Sequence, residues 1–368
     1  MNSFPEGNAI VYCEEAFNTT NGKTAHGLVR FTERYKVLSV VDSVYSGLDA
    51  GKVLDNKPAG IPIFASIEEA LEDAESRKTP VSHLVVGLAP DGGRLSEAAW
   101  EDIREAVRLG LNVDCGLHDF LSDDTDLIEL AASRSVTIRD IRKPLPRDQY
   151  HFFSGKIEQV DCLKIAVLGT DSAVGKRTTA WILEQALNNK NHQTIMVGTG
   201  QTAWMQGARF SIIMDTLVND FVSGEIEHIV WSAWKYGRPE VILIEGQGSL
   251  LNPAYPGGFE ILAAGRPDFV ILQHAPARKD YDGFPGYPIQ PLSHQIKAIE
   301  VISGKRVVAI TLNHEDLRLS EISKICESIT AQTGLPAFDV LLNGADDLAN
   351  LIIKQITSGK HKDRILTK

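Results

Sequence analysis

Lys164-Ile-Ala-Val-Leu-Gly-Thr-Asp-Ser-Ala-Val-Gly-Lys-Arg-Thr-Thr179 runs an apolar, strand-like segment into a glycine-bounded loop and the first turn of a helix. Such a junction outlines a phosphate cradle. Backbone N–H groups that the helix leaves unpaired converge on one spot, where the helix dipole and a lysine ammonium add positive charge. The spacing departs from G-x-x-x-x-G-K-[ST], which would set its first glycine at position 170 and its Mg²⁺-binding hydroxyl at 177. Here Gly169 comes one residue early, Thr170 takes the glycine's place, and Arg177 stands where the hydroxyl belongs, followed by Thr178 and Thr179. The stretch predicts anion binding without Mg-ATP chemistry, through Gly169, Thr170, Ser172, Gly175, Lys176, Arg177, Thr178 and Thr179.

Downstream, the pattern predicts a helix over Lys176–Asn189 and a strand over Thr194–Gly198. The strand leads into Thr199-Gly-Gln-Thr-Ala-Trp-Met-Gln-Gly207, which is glycine-rich and polar enough to read as a strand-end loop. A helical pattern follows from Ser211 to Tyr236, with a break expected at Gly224. Val241-Ile-Leu-Ile-Glu245 is a buried strand ending in a carboxylate, turning out through Gly246-Gln-Gly-Ser-Leu250. Phe269–Gln273 and Val307–Thr311 read as further strands, with helices over Pro291–Ser303 and Leu319–Thr333.

Upstream, short apolar runs alternate with helical patterns, the signature of a parallel α/β sheet. The expected strands are Ala9–Tyr12, Lys36–Val41, His83–Gly87, Asn112–Cys115 and Val136–Ile141. Ser66-Ile-Glu-Glu69 opens a helix to Glu75 with a capping box, and Ser96 caps one reaching Leu109 before Gly110 stops it. Lys143-Pro-Leu-Pro-Arg147 suits neither element, which sets a linker at 142–160. The fold class is therefore α/β: a Rossmann-like N-terminal domain over residues 1–150 and a P-loop NTPase-like C-terminal domain over 151–368, both with mainly parallel sheets.

A length of 368 residues suits two domains. With 43% hydrophobic and 23% charged residues and no apolar run near 20 residues, the composition is that of a soluble protein without a membrane span. Met1-Asn-Ser-Phe-Pro-Glu-Gly7 lacks the basic patch and apolar core of a signal peptide, so a cytoplasmic location is expected. Cys13, Cys115, Cys162 and Cys326 are scattered and form neither a disulfide framework nor a zinc pattern; no metal site is expected. A net charge of −11 argues against nucleic-acid or anionic-membrane partners.

Chemistry concentrates at strand ends, where open α/β sheets bind ligands. Glu245 ends an apolar strand, where a charge needs a partner or a function. Asp171 lies inside the anion loop, where it would repel phosphate, and is a candidate for substrate chemistry. Gln201, Thr202 and Gln247 are neutral hydrogen-bonding groups suited to a polar ligand. His274-Ala-Pro-Ala-Arg-Lys-Asp-Tyr-Asp-Gly283 gathers an imidazole, two cations and two carboxylates. Arg278 and Lys279 suit a dicarboxylate, and His274 a proton. In the first half, Asn18–Gly27 packs Lys23, Thr24 and His26 before a helix start, a second anion seat.

The loop Gly169–Lys176 and Leu243-Ile-Glu-Gly-Gln-Gly248 resemble dethiobiotin synthetase, an ATP-dependent ligase, although that enzyme keeps a threonine directly after the lysine. The order of the first-half loops resembles the CoA-binding domain of succinyl-CoA synthetase. A likeness covering nearly the whole chain rests on Gly22-Lys-Thr-Ala-His-Gly27, Gly169–Thr179, Thr199-Gly-Gln-Thr202, Met205-Gln-Gly207, Asp220-Phe-Val-Ser-Gly224, Glu245-Gly-Gln-Gly-Ser249 and His274–Lys279. On these motifs the chain resembles a family long known as a domain of unknown function that includes the bacterial D-glutamate N-acetyltransferases.

That resemblance implies acetyl transfer from acetyl-CoA to the α-amine of D-glutamate, in a protein expected to be a homo-oligomer. Lys176, Arg177 and the loop amides would then hold a CoA phosphate, and Arg278 and Lys279 the substrate carboxylates. Glu245, or second His274, would take the ammonium proton, with N–H groups near Gly246–Gly248 facing the oxyanion. The rival readings are an ATP-Mg ligase or kinase and a nucleotide-sensing regulator without turnover.

Overall fold

The structure, a computed structural model, describes residues 4–357; the first three residues of the leader reading lie outside them. Six strands, β1 Gly7–Tyr12, β2 Tyr35–Val41, β3 Ile63–Phe64, β4 His83–Val86, β5 Asn112–Cys115 and β6 Ile138–Asp140, form one parallel sheet in the order β3-β2-β1-β4-β5-β6. That is the Rossmann order, reversing between β1 and β4. Helices α1 Lys23–Arg30, α2 Ala50–Asp55, α3 Ile67–Ser76, α4 Glu97–Arg108 and α5 Thr125–Arg134 connect the strands. Ile10, Val11, Leu84 and Val85 are fully buried, as strands covered on both faces require. Ser66 and Ser96 cap α3 and α4 by accepting from the Glu69 and Ala99 N–H groups. The last strand is shorter than the expected Val136–Ile141.

Seven strands build the second sheet: β7 Leu163–Gly169, β8 Thr194–Gly198, β9 Phe210–Ser211, β10 Val241–Glu245, β11 Phe269–His274, β12 Arg306–Leu312 and β13 Ala337–Phe338. They are parallel in the order β13-β12-β11-β7-β10-β8-β9, so the strand feeding the anion loop is central. Its helices are α6 Lys176–Asn189, α7 Gln201–Gln206, α8 Asn219–Gly237, α9 Phe259–Ala264, α10 Leu292–Ser303, α11 Ile322–Thr333, α12 Val340–Asn343 and α13 Asp346–Thr357. The pleat divides the core. Ala166, Leu168, Ile242 and Ile244 join one apolar cluster, while Leu163, Ile165, Val241 and Leu243 join another with α6 and α13 residues such as Leu183 and Leu348.

The chain divides into two compact units. One runs to Leu145 and includes Gln201–Ala208; the other comprises Pro146–Gly200 and the chain from Arg209 onward. The excursion of 201–208 departs from a polar loop of the second half. It is the helix α7, with Thr202, Ala203, Met205 and Gln206 buried. Gln206 donates to the Gly27 and Phe31 carbonyls, each at 2.8 Å, and Arg34 donates to the Trp204 carbonyl at 2.7 Å while its guanidinium lies 3.6 Å over the Trp204 ring. Three of the four cysteines are buried and all are free. No helix among the described residues is long and apolar enough to cross a membrane.

Gly224 does not break its helix: α8 runs through it. A Cβ there would lie 2.0 Å from the His151 carbonyl oxygen, so the glycine admits the extended segment that precedes β7. Two carboxylates on the same helix hold that segment. Glu225 accepts from the His151 N–H, and Glu227 accepts from the Ser154 N–H at 2.7 Å and the Ile157 N–H at 3.2 Å. Gly224→Ala is expected to destabilise the protein by about 1–3 kcal/mol through overpacking, despite alanine's better helix propensity. Urea unfolding midpoints of the two proteins check this; an unchanged or raised midpoint would contradict the packing argument.

Candidate functional site

Gly169 ends β7, and its lack of a side chain has a direct use. A Cβ would meet the Lys176 Cδ and the Val174 Cγ2, each at 2.9 Å, so only glycine lets the lysine fold back over the strand end. The loop then takes left-handed backbone at Ala173 (φ 51°) and Gly175 (φ 102°) before α6 begins. Such alternation turns successive N–H groups to one side. Lys176 is buried, and its ammonium donates to the Asp171 carbonyl at 2.7 Å and the Gly248 carbonyl at 2.8 Å. Burial lowers its pKa to about 8, against the pull of Asp171 and Glu245.

Glu245 ends the neighbouring β10 and is buried there, accepting from the Thr199 N–H at 2.8 Å. Burial raises its pKa; the charges of Arg177 and Lys176 and the Thr199 and Gly200 N–H groups oppose the rise without cancelling it. The chain leaves through Gly246, where a Cβ would sit 2.5 Å from the Val167 carbonyl oxygen, and Gly248, with φ 49° and a Cβ position 2.0 Å from the Tyr255 carbonyl oxygen. Both glycines are thus imposed by close backbone approach. The Gly246 N–H donates to Val167 at 3.0 Å, which removes it from the oxyanion role that the sequence suggests. Gln247 donates to Thr199 Oγ1 at 3.2 Å, and that hydroxyl donates to the Glu245 carbonyl.

On the other side of β7, β11 delivers His274, whose Nδ1 lies 3.0 Å from the Thr170 hydroxyl. Burial depresses its pKa to about 4, so the ring is neutral at pH 7 and a weak base. Gln273 Oε1 accepts from the hydroxyls of Thr179 at 2.6 Å and Thr311 at 2.5 Å, which ties the Thr179 side chain to the sheet. Thr178 and Ser172 are half-buried and Lys279 is exposed.

Asp171 and Arg278 carry the largest surprise. The fully buried Asp171 carboxylate accepts from the Arg278 Nη1 at 2.9 Å, the Asn252 amide at 2.8 Å, the Asp282 N–H at 2.8 Å and the Ser172 N–H at 2.7 Å. Arg278 also donates to the Ser172 carbonyl at 2.8 Å and engages Glu315 through both Nε and Nη2. The bidentate fork that the sequence offers to a substrate dicarboxylate is therefore committed inside the protein, and Asp171 ties the anion loop to the loops after β10 and β11. Glu315, Asn252 and Gln273 were missed by sequence reading. Their signal was positional: Glu315 lies just past β12, and Gln273 is a polar residue near the end of an apolar strand.

The remaining candidates belong to the first unit. Lys23 is the exposed first residue of α1, and the Thr24 and Thr202 hydroxyls are 3.0 Å apart. The stem of Gln201 lies against Gly116, where a Cβ would come within 2.7 Å of the Gln201 Cγ.

One parallel sheet with the Rossmann order and a second with a glycine loop and buried lysine after its central strand define a two-domain protein of Rossmann-like and P-loop type. The chain belongs to the DUF1611 family. Residues 151–349 match its P-loop domain of unknown function (DUF1611_C), and residues 43–144 match its Rossmann-like domain of unknown function (DUF1611_N). It is 29% identical over 300 residues to a D-glutamate N-acetyltransferase of Tritonibacter scottomollicae, covering 77% of this chain and 84% of the relative. A D-glutamate N-acetyltransferase of a Pseudoalteromonas species is likewise 29% identical, over 75% of this chain and 83% of the relative. The crystal structure of a DUF1611 family protein from Anabaena variabilis superposes with a TM-score of 0.85 at 28% identity, covering 95% of this chain and all of that one. At the level of class, the chain is an enzyme, an acyltransferase.

Replacing Asp171 by alanine leaves a buried guanidinium and a buried amide short of an acceptor. The expected loss is about 3 kcal/mol of stability, read as a lower denaturant midpoint at unchanged m-value. A midpoint within error of the wild type would show that the Arg278–Glu315 pair alone holds the loops.

Proposed function

We propose that the protein transfers the acetyl group of acetyl-CoA to the α-amine of D-glutamate. The observation that carries this reading is a buried lysine in the loop-to-helix turn after β7 and a buried carboxylate ending the adjacent β10, Lys176 and Glu245, in a chain whose relatives are D-glutamate N-acetyltransferases. Only a free amine attacks a thioester, and an α-amine of pKa about 8 is roughly nine-tenths protonated at pH 7. A base is therefore required. Glu245 suits the task better than His274, because burial has moved its pKa upward, toward the operating pH, while the imidazole has moved away from it.

In the proposed sequence Glu245 takes one ammonium proton and the amine nitrogen attacks the acetyl carbonyl carbon. The C–N bond forms, the tetrahedral nitrogen releases its second proton to solvent, and the C–S bond breaks. The thiolate leaves with the proton held on Glu245, so the amide, free CoA and one released proton balance the reaction. The loop cations hold an anionic group of one substrate. Acetyl-CoA as donor, a cytoplasmic location and a homodimer belong to the same reading.

Glu245→Gln is expected to lower kcat by about 10²–10⁴-fold at little cost to stability. In the wild type, kcat/KM rises with pH through the raised carboxyl titration, since the base form lies above that pKa; the Gln variant loses this limb. Full turnover in Glu245→Gln would remove Glu245 as the base. A thermal-shift series with acetyl-CoA, CoA and ATP-Mg tests the donor: a shift from ATP-Mg alone would favour the ligase reading over acetyl transfer.

A further inference from the structure

The site's geometry conflicts with one part of the sequence-based expectation. CoA carries its thioester at the far end of the pantetheine arm from its phosphates. If the loop held a CoA phosphate, the acetyl group would lie an arm's length from Lys176. Glu245 is not an arm's length away. It pairs in register with Val167 on the adjacent strand, and the turn that leaves it places the Gly248 carbonyl 2.8 Å from the Lys176 ammonium. A base must sit within hydrogen-bond reach of the proton it takes. The amine, and hence the acceptor, therefore lies beside the loop.

The charges agree with the distances. Cations at this strand edge include Lys176, Arg177 and Arg278, and the carboxylates Asp171, Glu245, Asp282 and Glu315 are interleaved with them. Arg278 is already matched by Asp171 and Glu315, and two of the three Lys176 donors are taken by carbonyls. The Thr170 and Ser172 N–H groups donate within the protein, which leaves one Lys176 donor and the loop amides after Ser172 on the side of Glu245. A dense, multiply charged pyrophosphate meets interleaved carboxylates there. An amino acid matches the arrangement, with its carboxylate toward Lys176 and its ammonium toward Glu245.

We propose that the loop 170–176 and Glu245 form the seat for the amino-acid acceptor, its carboxylate on Lys176 and the loop amides, and that no phosphate of the acyl donor binds there. This assignment rests on the acetyl-transfer reading for its choice of acceptor. It converts a loop of nucleotide-binding type into an amino-acid head-group site.

The test uses the full-length protein and two variants, Lys176→Met and Lys176→Arg, with circular dichroism to confirm that each is folded. Glutarate, a dicarboxylate without an amine, and free CoA are titrated calorimetrically into all three. Lys176→Met is expected to weaken glutarate at least about tenfold, the value of a charge-assisted hydrogen bond, with CoA affinity within about twofold and partial recovery of glutarate binding in Lys176→Arg. In steady state, KM for D-glutamate rises at constant KM for acetyl-CoA, and glutarate competes with D-glutamate and not with acetyl-CoA. Weakened CoA binding in Lys176→Met, glutarate competing with acetyl-CoA, or no glutarate binding to the wild type would overturn the assignment. Absence of acetylated product from the wild type would instead defeat the reaction reading, and the calorimetric arms would still decide what the loop holds.

Discussion

The Asp171 carboxylate holds this site together. It lies at the base of the anion loop with no exposed surface, and its oxygens accept from Ser172 in its own loop, Asn252 after β10, and Arg278 and Asp282 after β11. A buried charge is costly unless surrounding donors replace its hydration. Here the donors come from three strand-end loops, so satisfying the carboxylate fixes those loops against one another. Arg278 extends the tie to Glu315 beyond β12. Lys176 depends on the same arrangement, because its ammonium bridges the Asp171 carbonyl and the Gly248 carbonyl across two of those loops.

Much of this was legible from residues alone, and the reasons are specific. The segment from Leu163 to Lys176 announces itself because an apolar run followed by glycine-bounded polar residues has few other physical uses, and Glu245 is conspicuous because charge rarely ends a fully apolar strand without a role. Alternating elements suffice to call two parallel sheets, and the capping serines fix helix starts.

What stayed hidden depended on tertiary distance. Arg278 and Glu315 are 37 residues apart, and nothing local distinguishes a guanidinium awaiting a substrate from one already paired. The six-residue helix α7 is too short to display a period, and its polar side chains read as loop until their partners, the Gly27 and Phe31 carbonyls far back in the chain, are seen. Gly224 illustrates a true degeneracy: a glycine that interrupts a helix and a glycine that makes room for a crossing backbone have the same one-letter signature. Only the position of the His151 carbonyl separates them.

Burial moves Lys176 and Glu245 in opposite directions on the pH scale, the ammonium downward to about 8 and the carboxyl upward, because each charged form has lost water. Their mutual attraction works against both shifts but does not abolish them. Burial thus weakens the hold of each group on its ordinary charge state. An anion arriving at Lys176 favours the ammonium, and a cation arriving at Glu245 favours the carboxylate. A zwitterion does both at once, and when its ammonium gives up a proton the carboxyl beside it is already disposed to accept. The departures from the nucleotide-loop pattern serve the same end: Arg177 in place of the hydroxyl removes a metal ligand and adds a fixed positive charge on the Glu245 side. Under the proposed acceptor assignment, the site takes a charge pair where a metal-built site takes an anion.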